Sequence, residues 1–270
     1  MKVEILRREE EYLPFFETMR RKEGFSSMLE TPEQLRKNLA GCLSHPDDFV
    51  LGCLDGGEMA GLFSFLAEPE KRYLEMLAGI TEKEAVCAGV IAFLREAYPG
   101  FRLDAVFHPA NRAVRNALEK AGAAFEPVQA LFRLAEAAPL PQDSPAVPLS
   151  GESREEYLAL HGKNCYWTGE RVLAAPELFR VFAVYDGGRL AGYADVTRGM
   201  EQNEIYDLYV QPESRGMGLG KALLAAVCAG NGQSGLTALA ESAGTAAGLL
   251  VRMGFEKVPG RESDTASLTL

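Results

Sequence analysis

The sequence is poor in histidine and tryptophan, with three of the former and one of the latter in 270 residues. His45, His108 and His161 stand far apart with no ligand spacing, so no metal site is expected. Cysteine is also sparse. Cys42, Cys53, Cys87, Cys165 and Cys228 are odd in number, widely spaced and free of any CxxC pair. That argues against a disulfide framework and for inert core thiols in a reduced, cytoplasmic protein. Basic residues are in deficit, since 28 Lys and Arg against 38 Asp and Glu leave a formal charge of -10. Such a mean field repels phosphate and anionic lipid, so neither nucleic acid nor a membrane surface is an expected partner, whereas a cationic amine is. The opening MKVEILRREEEYLPFFETMRR lacks the uninterrupted apolar stretch of a signal peptide, and no other run approaches membrane-spanning length.

Apolar residues make up 47% of the chain, enough for a sizeable core. Pro139, Pro141, Pro145 and Pro148 mark a linker, because proline neither continues a helix nor donates to a sheet ladder. The expected division is a first domain at 1–138, the linker at 139–149 and a second domain at 150–270. The halves read as repeats. Asp48–Phe65 and Val181–Val196 each run an apolar strand into Asp-Gly-Gly, two further residues, Ala-Gly and a second apolar strand. Arg112–Phe125 and Thr245–Val258 each read as a helix closed by glycine, Gly122 or Gly254, with a strand beyond it. In the second half, Ser153 and Glu156 suggest a capping box at a helix start. A short helix is expected over 168–174, strands over 179–185, 190–197 and 204–210, and a helix over 219–229. A strand over 236–240, a helix over 245–253 and strands over 255–258 and 266–270 complete the half.

The chemistry-bearing stretch is Glu204–Leu224, EIYDLYVQPESRGMGLGKALL. Gly216, Gly218 and Gly220 leave backbone N–H groups bare at a helix start, where unpaired donors and the helix dipole attract anions. Arg215 and Lys221 add positive charge, making a local pyrophosphate cradle in an acidic chain. It is not a Walker loop, because Arg215 stands where the first glycine belongs and Ala222 replaces the hydroxyl residue. It is not a dinucleotide fingerprint either, because Lys221 stands where the third glycine belongs.

The R-G-x-G-x-G pattern, after Asp207-Leu-Tyr-Val210, resembles the acyl-CoA motif of the GNAT superfamily of N-acetyltransferases. The resemblance implies an α/β (α+β) chain of two tandem GNAT-like domains, each a mixed, mostly antiparallel sheet flanked by helices. It implies acetyl-CoA as co-substrate. Its pyrophosphate would rest on Arg215, Gly216, Met217, Gly218, Leu219, Gly220 and Lys221, and its pantetheine arm would run along Leu208, Tyr209 and Val210. The acyl group would sit where that strand splays from 236–240. The acceptor would be a small-molecule or peptide amine. Glu204 and Asp207 are the candidate bases, and strict alternation puts them on opposite faces of the strand. The family's usual acid, a tyrosine, falls at Leu250 and its usual asparagine at Ala243, so Tyr206, Tyr209 and Tyr193 are the substitutes. Tyr166 and Trp167 would wall the acceptor site, and Cys165 has no histidine partner to make it a nucleophile. In the first half, Tyr73–Ile80 leads into Thr81-Glu-Lys-Glu84, with no glycine series and two carboxylates that repel phosphate. That half reads as a degenerate copy without cofactor. The competing reading of the whole chain is an inactive protein that binds CoA or an amine.

Overall fold

The structure, a computed structural model, describes residues 1–22, 24–25, 32–135, 144–162, 167–232 and 234–270. The chain forms two compact units: Met1–Ala130 together with Pro259–Leu270, and Leu131–Val258.

Unit 1 runs β1 (Lys2–Leu6), α1 (Leu13–Met19), α2 (Pro32–Ser44), β2 (Phe49–Asp55), β3 (Glu58–Glu68), β4 (Tyr73–Ile80), α3 (Glu84–Ala97), β5 (Arg102–Phe107), α4 (Arg112–Lys120) and β6 (Ala124–Phe125). Neighbouring strands are antiparallel from β1 to β4, and β4 and β5 are parallel. Period-two patterning fixes the faces. On β2, Phe49, Leu51 and Cys53 pack with Val90, Ile91 and Leu94 of α3, while Val50 packs with Phe16, Leu35 and Leu39 of α1 and α2. On β4 the alternation breaks. Leu74 and Met76 lie on the α3 side, yet Ala78 and Ile80 lie on the α1 side. The cause is a β-bulge at Leu77: Phe65 pairs with Met76 and Ser64 with Ala78, leaving Leu77 as the extra residue.

Unit 2 contains β7 (Gln129–Leu134) from Leu131 onward, β8 (Val147–Pro148), α5 (Arg154–Leu160), α6 (Gly169–Ala174), β9 (Phe179–Asp186), β10 (Arg189–Thr197) and β11 (Gln202–Val210). α7 (Leu219–Gly230), β12 (Gly235–Glu241), α8 (Thr245–Arg252) and the start of β13 (Phe255–Thr269) complete it. The strand order is β8-β9-β10-β11-β12-β7. Most sequence-derived elements are present. The capping box is not: Glu156 Oε2 instead accepts the Leu190 N–H at 2.8 Å, and the Ser153 hydroxyl meets Tyr185 Oη at 3.0 Å. The two expected terminal strands are one strand, with Gly260 at a φ of 69° inside it.

The units also depart from the division at 139–149. β7, from the end of the first repeat, pairs with β12 in unit 2. The last strand of unit 1 is Asp264–Thr269 of β13, antiparallel to β5 over Arg102–Phe107 and flanked by β6. Each unit is therefore closed by a strand that the repeat pattern assigns to the other. The proline stretch is not a free spacer at its far end, since Val147 and Pro148 pair with Ala183 and Phe182; residues 139–143 lie outside the described residues.

Among the described residues, no helix is long and apolar enough to cross a membrane. Cys42, Cys53, Cys87 and Cys228 are buried thiols outside any disulfide, and Cys165 lies outside the described residues. Burial pushes the thiols of Cys53 and Cys87 up to about 12 and that of Cys228 to about 11, which removes thiolate reactivity.

Candidate functional site

The site is built on β11 and the turn that follows it. After Val210 a short 3-10 turn, Pro212–Ser214, leads into the glycines. Gly216 and Gly218 take φ values of 80° and 83°, which only glycine adopts without strain. The space beside both is open, since a Cβ on either would meet no heavy atom within 4 Å. The first helical hydrogen bond runs from Ala222 N–H to Gly218 C=O at 3.0 Å. The N–H groups ahead of it at the start of α7 therefore have no intrahelical acceptor. Gly216, Met217, Gly218 and Lys221 are exposed, and Leu219 and Gly220 are half-buried. Arg215 turns back to its strand, where Nε donates to Val210 C=O at 3.0 Å.

β11 and β12 pair in parallel from Gln202/Gly235 to Ile205/Ala238 and no further. Beyond that point they part around a cavity of about 160 Å³ lined by Tyr206, Asp207, Leu208, Leu239, Leu249 and Leu250, among others. This is the splay expected between 204–210 and 236–240. Leu250, at the position of the missing tyrosine, presents only an apolar side chain there.

A β-bulge sits at the mouth of the splay. Val196 pairs with Ile205 and Asp195 with Asp207, so Tyr206 is the extra residue. Cross-strand partners share a face. Asp207 therefore lies on the face of Asp195, and Ile205 on the opposite one. Glu204, next to Ile205, returns to the Asp207 face. The expectation that the two carboxylates face opposite ways fails because strict alternation does not survive a bulge. The same insertion occurs in unit 1 at Leu77, which makes Glu75 and Ala78 the counterparts of Glu204 and Asp207.

Glu204 is half-buried, and burial raises its carboxyl above the usual range. Its N–H donates to Thr197 Oγ1 at 2.7 Å. Tyr206 Oη accepts the Trp167 N–H at 3.2 Å, and its ring lies edge-on to Phe179, as does the Trp167 indole. Trp167 thus stands beside the candidate strand, while Tyr166 lies outside the described residues. Tyr209 stacks on Tyr193, whose hydroxyl donates to Asp207 Oδ2 at 2.7 Å.

Behind Asp207 is a buried network for which the sequence carried no local signal. His161, just past the end of α5, faces the Gly162 C=O through Nδ1 at 2.9 Å and Asp195 Oδ2 through Nε2 at 2.9 Å. Tyr157 Oη donates to the same Asp195 oxygen at 2.9 Å, and the His161 ring stacks on Tyr193 at 5.4 Å. One atom each of His161, Asp195 and Asp207 lies within 4.8 Å of the others, a grouping that a metal could use. The 2.9 Å contact is hydrogen-bond length, however, and Asp195 Oδ2 already serves two partners. Burial alone would push the His161 imidazole down. The hydrogen bonds to Asp195 and Gly162 and the charges of Asp195 and Asp207 outweigh it, so the ring holds its proton above its ordinary range. Burial lifts the Asp195 carboxyl, against the two hydrogen bonds it accepts.

Unit 1 fills the equivalent splay. β4 and β5 pair from Tyr73/Arg102 to Met76/Ala105, and the space beyond is about 10 Å³. Asn111 spans it, with Nδ2 donating to Gly79 C=O at 2.7 Å, and Phe25 is buried against Phe16 beside it. Glu82, in the loop before α3, and Glu84, the first residue of α3, pair with Lys22 and Lys120.

Residues 177–257 match the model of the acetyltransferase (GNAT) domain. No curated protein matches the sequence. Solved structures similar to the chain include a GCN5-related N-acetyltransferase from Sphaerobacter thermophilus, 16% identical over 90% of this chain and 88% of that one, with a TM-score of 0.61. A tandem GNAT protein from the clavulanic acid biosynthesis pathway is 15% identical over 99% of this chain and 98% of its own, with a TM-score of 0.54. A GCN5-related N-acetyltransferase from Kribbella flavida is 15% identical over 78% and 87%, with a TM-score of 0.54. At these identities the likeness is one of fold: the chain has the tandem GNAT fold, and its residues 177–257 match the GNAT domain model.

Proposed function

We propose that unit 2 is an acyl-CoA-dependent N-acyltransferase that passes acetyl from acetyl-CoA to a primary amine by direct attack on the thioester. The GNAT domain supports acyl-CoA chemistry in general. The observation that carries the finer reading is the open glycine loop, with bare N–H groups at the start of α7, beside the splayed pair β11 and β12. The diphosphate takes the N–H groups of Gly216–Lys221 and the field of the helix start. Pantetheine lies along Leu208–Val210, where β11 has left β12 and its edge is free to pair with an extended ligand. N–H groups at this edge polarise the thioester carbonyl.

The amine must lose a proton to attack, because a free alkylamine has a pKa near ~10. Glu204 and Asp207 share the face that also carries Tyr206, Trp167 and Tyr193, which makes it the acceptor face. A carboxyl lifted by burial, as Glu204 is, is matched to general-base work near neutral pH. Tyr206 is the remaining hydroxyl at the cavity and the candidate acid toward the departing thiolate. Unit 1, with its slot filled and its loop acidic, binds no cofactor in this reading.

One observation favours a second reading, an inactive CoA- or amine-binding protein: Leu250 lines the cavity where the family's acid belongs. Two measurements decide. Acetyl-CoA should raise the melting temperature of the parent protein and leave Arg215→Glu unmoved; no rise in the parent sinks the transferase and any CoA-binding protein, leaving only an amine binder. Free thiol should appear steadily with at least one amine in a panel; binding without thiol release selects the inactive protein.

A further inference from the structure

The buried network behind Asp207 is more polar than a core needs. The His161 and Asp195 side chains are 1% and 0% exposed, yet Asp207, whose side chain is 36% exposed, lies against them. His161 Nδ1 faces a carbonyl oxygen, which can only accept, so Nδ1 carries a hydrogen. Nε2 is 2.9 Å from Asp195 Oδ2 and 3.9 Å from Asp207 Oδ2. An imidazolium satisfies both edges of the ring and supplies the positive charge that two nearby carboxylates need. Among the described residues, the groups facing the ring are Tyr157 from α5, Tyr193 and Asp195 from β10, and Asp207 from β11.

We infer that His161, held as an imidazolium by Asp195 and Tyr157, is a positioning residue that together with Tyr193 fixes the Asp207 carboxylate on the acceptor face, where it receives the ammonium group of the incoming amine. The inference rests on the acceptor-site reading above. Asp207 Oδ2 takes the Tyr193 hydroxyl and the field of Nε2–H, while the rest of the carboxyl meets solvent on the side from which an amine would come. No proton is consumed. The network sets the direction and charge of a receptor for a cation, and the bulge at Tyr206 is what brings Asp207 to this face.

The test uses full-length protein labelled with 15N-histidine, whose three imidazoles are few enough to assign by the loss of one signal in His161→Gln. The expected signature is an imidazolium at His161 that persists above the ordinary value near ~6.5 and moves toward neutrality in Asp207→Asn. A neutral, single-tautomer ring at neutral pH in the parent protein overturns the inference. With turnover, His161→Gln should raise KM for the amine about tenfold, the size of one charge-assisted contact, and leave KM for acetyl-CoA unchanged. Equal loss in both constants, or an unchanged amine KM, overturns it. Where His161→Gln does not fold, Tyr157→Phe removes only the hydroxyl given to Asp195 and should move the amine KM the same way. If the parent protein neither binds acetyl-CoA nor releases thiol, the transferase reading has failed. The imidazole spectrum then still decides whether His161 is charged and coupled to Asp207.

Discussion

Glu204 and Asp207 share one face of β11 but have different surroundings, and this decides what each can do. Glu204 is lifted by burial, with no cationic partner among the described residues to offset it. A group whose folded pKa is raised binds its proton at a higher pH than the unfolded chain does. Its burial therefore weakens the fold above the folded pKa, and the penalty fades as pH falls through that value toward the unfolded one. Two results follow. Glu204→Gln should melt higher than the parent at neutral pH in a thermal scan. If Glu204 is the base, kcat/KM should also lose its acid limb in that variant. A parent enzyme whose acid limb lies at an ordinary carboxylate value, near ~4.3, would remove Glu204 from the role. At the loop, Gly218→Ala must hold a side chain at a φ of 83°. A cost of about 1 kcal/mol is expected in urea unfolding, with a fall in CoA affinity by titration calorimetry. The glycine loop was legible in the sequence because its message is local: bare N–H groups need glycine, and a helix start needs the residues after it. His161 was not legible, since its meaning lies in Asp195, 34 residues away, and no spacing rule joins an α5 end to the middle of β10.

At the scale of elements, hairpins, helices and the parallel pair β11/β12 followed from periodicity and turn chemistry. The bulges did not. Nothing in Ile205-Tyr206-Asp207 or Met76-Leu77-Ala78 announces an extra residue. The extra residue shows only against the partner strands, through pairings such as Asp195 with Asp207. A second bulge precedes it on β10, where Ala191 is extra and Gly192 comes so close to the Tyr209 carbonyl that a Cβ would lie 2.5 Å from it. The Ala-Gly of the repeat therefore marks a close backbone approach as well as a strand start. The terminal strand makes its own prediction. Ala266 and Leu268 are buried against β5, and Arg115 binds the buried Asp264 while stacking on Phe125. Removing Asp264–Leu270 should lower the stability of unit 1 by several kcal/mol, from about 1.5–3 for a buried leucine plus the lost ladder. Denaturant unfolding checks this, and a truncated chain with an unchanged midpoint would show that the strand is dispensable.

For the whole molecule, the repeat correctly suggested two copies of one fold but misassigned their last strands. β7 and the end of β13 carry the same alternation, with Ala130 and Phe132 buried in one and Ala266 and Leu268 in the other. Either strand satisfies either edge by pattern, so only the three-dimensional pairing distinguishes them. Half-chains cut at the proline stretch, 1–138 and 150–270, each lack the strand that closes their sheet and should aggregate or remain molten. The stretch 131–258 should melt cooperatively alone, as circular dichroism would record.

Unit 2 is continuous in sequence and comes, along the chain, between the body of unit 1 and its closing strand. During synthesis, every residue of the inserted unit leaves the ribosome before the strand that seals its host. The usual order, in which the first-made domain folds first, is thereby reversed. The N-terminal body must wait with an open β5 edge, and a chaperone that shields bare strand edges would have its longest task there.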